Sequence, residues 1–142
     1  MTAPYPFVLL AEDDSGESYF TTGEISRTLR DFAPPATPFF VSAVENASGY
    51  VVIRLPVGWA GEPHPSPHRQ ILFCLSGALR VTASDGDSRI IKTGDAFLME
   101  DTRGKGHRSE VISEEPVDAV IVQLPDRNQD TRRGKPGHSG PD

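Results

Sequence analysis

Four polar residues, three of which can bind a metal ion, recur at every second position between residues 61 and 77, in the segment GEPHPSPHRQILFCLSG. They are His64, Ser66, His68 and Gln70. Side chains of an extended chain alternate between its two faces, so these four project to the same side. The prolines between them favour an extended backbone. The spacing therefore predicts a cluster of donor side chains on one face of a strand.

Two imidazoles and a carboxamide on one face suit a divalent ion such as Zn, Fe(II), Ni, Mn or Co. A third imidazole, from His107, completes a predicted set of four metal ligands: His64, His68, Gln70 and His107. This set is uncharged at neutral pH. The alternative is that the histidines are ordinary loop and surface residues beside prolines, and the spacing alone leaves that alternative open.

The fourth histidine of the chain, His138, is not included among the predicted ligands. From Arg127 onward the sequence reads RNQDTRRGKPGHSGPD and contains no large apolar residue. Burial of such a segment cannot offset the entropy that is lost when it becomes ordered. We therefore predict a disordered tail over residues 127–142.

Further candidates surround the predicted metal ligands. Alternation along the same strand predicts that Leu72 and Cys74 face inward and line a mostly apolar substrate pocket. Trp59 is either a stacking platform or lid for a planar substrate, or an ordinary core residue. Glu100 is the predicted catalytic acid or base, and Asp101 beside it is a second candidate. The alternative for both carboxylates is a solvated turn.

Eight short segments between residues 39 and 124 have the apolar pattern of β-strands. Turn residues separate them, such as Ser76-Gly77, Asp85-Gly86 and Thr93-Gly94. Short antiparallel strands at this close spacing predict an all-β fold, a jelly roll or small barrel. The predicted strands are 39–44, 49–55, 70–75, 78–83, 88–92, 96–100, 107–112 and 118–124.

The first 38 residues show no consistent helix or strand pattern and are interpreted as an N-terminal arm. A short helix is predicted over residues 24–31, ending before Pro34 and Pro35, because proline disfavours helical geometry in the preceding residue. Such arms cover open sheet edges or pair with a second subunit, so a homodimer is expected. The predicted domains are the arm over 1–38, a barrel over 39–126 and the tail over 127–142.

Length and charge limit the expected partners. A chain of 142 residues fits one domain. Its formal net charge of -6 argues against nucleic acid, which is bound through Lys and Arg patches, so a small-molecule partner is expected.

The apolar runs fall far short of the roughly 20 residues of a membrane span, and the first lacks the basic flank of a secretory signal. Cys74 is the single cysteine, which excludes an internal disulfide, and a cytoplasmic location is expected.

The segment that contains the donors resembles the first conserved motif of the cupin superfamily. In that motif a glutamate is followed, after six intervening residues, by a glycine, and Gln70 and Gly77 have this spacing. His64 then matches the first motif histidine. Ser66 stands at the place of the second histidine, and His68, one pleat further along, is the predicted substitute. Gln70 stands where the family has its glutamate.

The second cupin motif begins with a glycine and closes with Gly-x-x-His, which resembles Gly94-Asp95 followed by residues 104–107. This match identifies His107 as the last ligand of the family's metal site. Residues 32–124 also resemble a bacterial subgroup of small single-domain cupins whose function is uncharacterised. The resemblance implies a jelly-roll β-barrel with a divalent metal bound inside it.

The resemblance does not select one reaction, because cupins include dioxygenases, isomerases, epimerases, lyases, polyketide cyclases and plain binding proteins. A neutral ligand set suits a Lewis acid that polarises a carbonyl or enol oxygen. The leading hypothesis is therefore isomerisation, cyclisation or elimination of a small carbonyl or enolisable substrate. A non-haem iron dioxygenase and a non-catalytic small-molecule-binding cupin stay open.

Overall fold

The computed structural model describes residues 1–127, and all eleven elements in this range are β-strands. They are β1 (Tyr5–Glu12), β2 (Ser18–Ile25), β3 (Arg27–Arg30), β4 (Phe39–Ser42), β5 (Gly49–Leu55), β6 (Gln70–Ser76), β7 (Ala78–Ala83), β8 (Ser88–Lys92), β9 (Ala96–Met99), β10 (His107–Val111) and β11 (Val117–Gln123). His138 and the predicted tail beyond Arg127 lie outside the described residues.

The strands form two sheets and a separate hairpin. A six-stranded sheet has the order β2-β1-β9-β6-β11-β5, a three-stranded sheet has the order β10-β7-β8, and β3 pairs with β4. The two larger sheets share one apolar core, in which Leu72, Val81 and Phe97 are buried. Full burial of such a side chain stabilises the fold by about 1.5–3 kcal/mol. This arrangement confirms the predicted all-β jelly roll.

All eight strands predicted from the sequence are present, and their ends differ from the prediction by two residues or fewer. The turn between β6 and β7 shows why a glycine in the sequence predicts the end of a strand. Gly77 has a φ of 81°, and a Cβ at this position would meet the carbonyl oxygen of Pro116 at 2.5 Å. Glycine accepts both the positive φ and the close approach, so it fixes this strand boundary.

The helix predicted over residues 24–31 is wrong, because these residues end β2 and form β3. Ile25 pairs with Tyr5 of β1, and Thr28 pairs with Val41 of β4. β-Branched side chains suit the pleated backbone, and segments distant in sequence supply the backbone hydrogen-bond partners. Tertiary pairing therefore overrides the weak local helix pattern.

The first part of the N-terminal arm is built into the larger sheet. β1 runs parallel to β9, with Leu10 opposite Met99, and antiparallel to β2. Leu10 is fully buried in the core. This part of the arm therefore covers the edge of β9. The β3–β4 hairpin follows, and the predicted domain boundary at residue 38 lies inside it.

Candidate functional site

The linker between β5 and β6 brings His64 next to His107. The linker runs along β10, where the amide of Gly61 donates to the carbonyl of Ser109 at 2.9 Å. His64 and His107 donate to each other's carbonyls, both at 3.0 Å, so the two residues lie directly opposite one another. Their ring centroids are 5.2 Å apart. The linker thus places two imidazoles on one side of the sheet edge.

A glycine allows this close approach. Gly106 precedes His107 and has a φ of 75°. A Cβ at Gly106 would overlap the backbone of His64. Since a side chain at Gly106 would push the linker away from β10, the glycine is a condition for the contact between the two histidines.

Asp101, in the loop between β9 and β10, holds His107 in place. The Asp101 side chain has 0% exposure, and its Oδ2 lies 2.6 Å from His107 Nδ1. Its Oδ1 accepts a hydrogen bond of 2.8 Å from the hydroxyl of Ser66. The backbone amide of Ser66 also donates to the carbonyl of Asp101 at 3.0 Å. Residues His64, Ser66, Asp101 and His107 are called the histidine site below.

The hydrogen bonds define which ring nitrogen of each histidine is available. His107 Nδ1 faces a carboxylate, and His64 Nδ1 lies 2.8 Å from the carbonyl oxygen of Glu62. Both partners are acceptors, so each Nδ1 carries the proton and each Nε2 keeps its lone pair. Metal-bound histidines are held by carboxylates or carbonyls in the same way.

The separation of the two rings also fits metal binding. Two imidazoles that bind one tetrahedral ion at about 2.0–2.1 Å place their ring centroids roughly 5 Å apart. The observed 5.2 Å between His64 and His107 agrees with this value. The donors present therefore fit two ligands of a metal ion.

The other two predicted ligands have different surroundings. Gln70 begins β6 and is buried, with its Nε2 atom 3.8 Å from the sulfur of Met99. His68 lies in a bend of residues 67–69 and is exposed, because the chain turns here from β10 toward the six-stranded sheet. Within residues 1–127 there is no group of three or more His, Cys, Asp or Glu side chains that could hold one ion. The four-ligand set stays a prediction.

The predicted pocket residues lie in or against the apolar core. Leu72 and Cys74 face inward, as strand alternation predicts, and pack in the same cluster as Phe97 and Met99. Burial raises the pKa of the Cys74 thiol. Trp59 packs against this cluster and is partly buried. The role of these three residues in a substrate pocket stays a prediction.

An open cavity of about 400 Å³ does reach His107, on the side of β7 and the loop before β10. Its lining also includes Pro63, Thr82, Lys105 and Arg108. The volume falls within the usual range for small-molecule sites. This cavity lies at the end of the three-stranded sheet.

Glu100 has a set of contacts separate from the histidine site. Its Oε2 lies 2.8 Å from Arg69 Nε and 2.7 Å from a guanidinium nitrogen of Arg127. Asp101 is the carboxylate that contacts His107. Two sequence features indicate the contact between Asp101 and His107. Ser66 stands where the cupin motif has its second histidine, and Asp101 lies in the loop before His107. The catalytic role predicted for Glu100 stays a prediction.

None of the described residues forms a helix that is long and apolar enough to cross a membrane.

A protein-family model described as "Cupin domain" matches residues 51–123, which is half of the chain. No curated protein matches the chain.

Several solved structures are similar to the chain in fold. The cupin domain of Cnp3 from Schizosaccharomyces pombe is 16% identical, with 92% of this chain and 90% of that chain covered and a TM-score of 0.47. A putative ethanolamine utilization protein Q from Salmonella typhimurium is 16% identical, with 87% and 98% covered and a TM-score of 0.44. The polyketide cyclase RemF from Streptomyces resistomycificus is 14% identical, with 66% and 73% covered and a TM-score of 0.43. Similarity at this level carries no functional argument.

Proposed function

Because the chain belongs to the cupin family, we propose that it is an enzyme that binds a divalent metal ion through His64 and His107. The proposed substrate is a small carbonyl or enolisable compound, and the proposed reaction is isomerisation, cyclisation or elimination. One observation carries the proposal: the two imidazole rings lie 5.2 Å apart, and each is held through Nδ1 with its Nε2 free.

A divalent ion of the Zn, Fe(II), Ni or Mn class would polarise the carbonyl or enol oxygen of the substrate. His64 and His107 supply two ligands, while Gln70 and His68 are the predicted third and fourth. All four side chains are neutral as ligands. Because neutral ligands do little to stabilise an oxidised metal, the set favours Lewis-acid chemistry over oxygen activation.

Asp101 is a positioning residue in this proposal. Its carboxylate accepts hydrogen bonds from the His107 ring and the Ser66 hydroxyl, so both donors are oriented before a substrate arrives. A carboxylate on Nδ1 also increases the basicity of the opposite ring nitrogen. Asp101 thereby keeps the Nε2 lone pair of His107 oriented for binding.

The cavity beside His107 supports a substrate that carries a negative charge. Lys105 and Arg108 line it, and its described lining includes no Asp or Glu. Lys105 forms an ion pair of 3.1 Å with Glu17, whereas Arg108 has no ion pair within residues 1–127. The charge of Arg108 is therefore free to attract an anionic group.

Metal analysis tests the proposal. We expect protein purified without a histidine tag to carry close to one equivalent of a divalent metal. The His64→Ala and His107→Ala variants should lose most of it, because each removes one of two facing imidazoles. The His68→Ala variant is the matched comparison: loss of metal identifies His68 as a ligand, and retention restricts the histidine ligands to the facing pair.

The proposal fails if the wild type binds none of Zn, Fe(II), Ni and Mn, or if both alanine variants keep the metal. Oxygen uptake with enolisable substrates decides the type of reaction. Oxygen uptake that depends on bound iron would mean that the reaction is a dioxygenase reaction and not the proposed Lewis-acid reaction.

A further inference from the structure

The loop of residues 103–106, which leads into β10, is bound by the turn between β1 and β2. This turn, residues 12–18, lies outside the region that the cupin family model matches. Its first contact is made by the carboxylate of Glu12, which accepts hydrogen bonds from the backbone amides of Arg103 and Gly104. The bond from Gly104 is 2.8 Å long. One side chain of the arm therefore binds the first half of the loop.

Two glycines allow the turn to lie directly against the loop. The carbonyl oxygen of Gly16 accepts a hydrogen bond of 2.8 Å from the amide of Lys105. Gly16 has a φ of 90°, and a Cβ at Gly104 would overlap the backbone of Gly16. Because side chains at these two positions would separate the turn from the loop, the contact depends on both glycines. The turn thus binds the successive amides of residues 103, 104 and 105.

Ser18 makes the last contact, at the end of the loop. Its side chain is fully buried, and its hydroxyl donates to the carbonyl oxygen of Gly106 at 2.6 Å. A carbonyl can only accept, so the hydroxyl proton points to Gly106. The same hydroxyl accepts from the amide of Ser84 at 2.8 Å, and the amide of Ser18 donates to the hydroxyl of Ser84 at 2.7 Å. These bonds to the turn between β7 and β8 fix the direction of the Ser18 hydroxyl.

The peptide unit between Gly106 and His107 is held from both sides. Its carbonyl accepts from Ser18, and its amide donates to the carbonyl of His64 at 3.0 Å. A peptide unit is planar, so a rotation that breaks one of these bonds also displaces the other. The hydroxyl of Ser18 therefore stabilises the same peptide unit that places His107 opposite His64.

We propose that Ser18 is a positioning residue of the histidine site, which acts on His107 through the peptide unit that joins His107 to Gly106. Glu12 supports the same loop from its other end. The expected effect on metal binding rests on the proposed function, whereas the effect on the His107 ring does not. The family-matched region supplies both imidazoles, and the N-terminal arm determines where one of them lies.

Ser18→Ala tests the proposal, because it removes the hydroxyl from the carbonyl of Gly106 and the amide of Ser84. We expect the dissociation constant of the metal to rise about tenfold, the lower end of the range for groups that orient metal ligands. In the metal-free protein, the low-field NMR signal of the proton on His107 Nδ1 should broaden or disappear, because the ring is no longer held in one position against Asp101.

Glu12 offers a second pair of variants. Glu12→Ala removes the acceptor of two loop amides and should cause the same two changes to a smaller extent, because the contact of Ser18 remains. Glu12→Gln keeps an oxygen that accepts from Gly104, so it should restore the metal affinity and the signal. If circular dichroism shows that Ser18→Ala does not fold, this pair decides. Wild-type behaviour of Glu12→Ala, or no recovery in Glu12→Gln, overturns the proposal.

Phe20→Leu is the matched control for a loss of stability alone. Phe20 lies two residues beyond Ser18 on the same strand and packs against Phe97 in the core. This control should lower the free energy of unfolding in urea and keep the metal affinity and the His107 signal of the wild type. If Ser18→Ala keeps both wild-type values, or the control loses both equally, the proposal is overturned. A wild type that binds no metal refutes the proposed function instead, and the His107 signal then decides the role of Ser18.

Discussion

Asp101 and Glu100 are adjacent carboxylates in opposite surroundings. Asp101 is fully buried and contacts Ser66 and His107 at the histidine site. Glu100 is paired with two arginines in a charged cleft. Successive residues of an extended chain point to opposite sides, so one step along the sequence leads from the histidine site to an ion-pair cluster. Residue type alone does not distinguish the two roles, whereas the contacts do.

Removal of the Asp101 carboxylate should have the largest effect. In Asp101→Ala, the His107 ring and the Ser66 hydroxyl become buried donors without a partner, and each such group costs about 1–3 kcal/mol. We expect the free energy of unfolding to fall by about 3 kcal/mol, and metal affinity to fall with it. Urea denaturation and metal titration measure the two effects.

The Asp101→Asn variant distinguishes the effect of Asp101 on the orientation of the His107 ring from its effect on packing. The amide retains the shape and one acceptor, so it should restore most of the stability. The orientation of His107 is followed by NMR, where the proton on Nδ1 gives a low-field signal in the wild type. If Asp101→Ala keeps this signal and the metal, Asp101 does not position His107.

Glu100→Gln should have a smaller effect. The change removes two ion pairs in a partly exposed cleft, and such pairs usually contribute at most about 1 kcal/mol. We expect a small, salt-dependent loss of stability and unchanged metal content. Enzyme activity decides the catalytic role predicted for Glu100. A loss of metal as large as in His107→Ala would contradict the separation of the two regions.

The ion pair between Arg54 and Asp118 is more exposed than the Glu100 pairs and should make the smallest contribution to stability. Arg54 donates two hydrogen bonds to Asp118, which lower the pKa of the Asp118 carboxyl from its ordinary value of 3.8. A carboxyl whose pKa is lowered by folding stabilises the protein above that ordinary value, and the contribution disappears as the pH falls through the lowered one. Wild type and Arg54→Gln should therefore differ slightly at neutral pH and converge in acid. A stability difference that persists in strong acid would refute this account.

Strand positions could be predicted from the sequence because they depend on local patterns. Apolar alternation and glycines such as Gly77 identified all eight strands between residues 39 and 124. The sequence placed His64 on an extended segment and His107 at the start of a strand, and in the structure His64 lies between β5 and β6 and His107 begins β10. The helix predicted at residues 24–31 failed because its strand partners, β1 and β4, lie outside any local window.

The sequence by itself determined the all-β fold and the cupin motifs. Tertiary structure decided which neighbours each side chain meets: Asp101 contacts His107, His68 turns to solvent, and Cys74 packs into the core. The physical reason is the range of the interactions. Side-chain alternation and turn geometry act within a few residues, whereas hydrogen bonds and burial join segments separated by tens of residues.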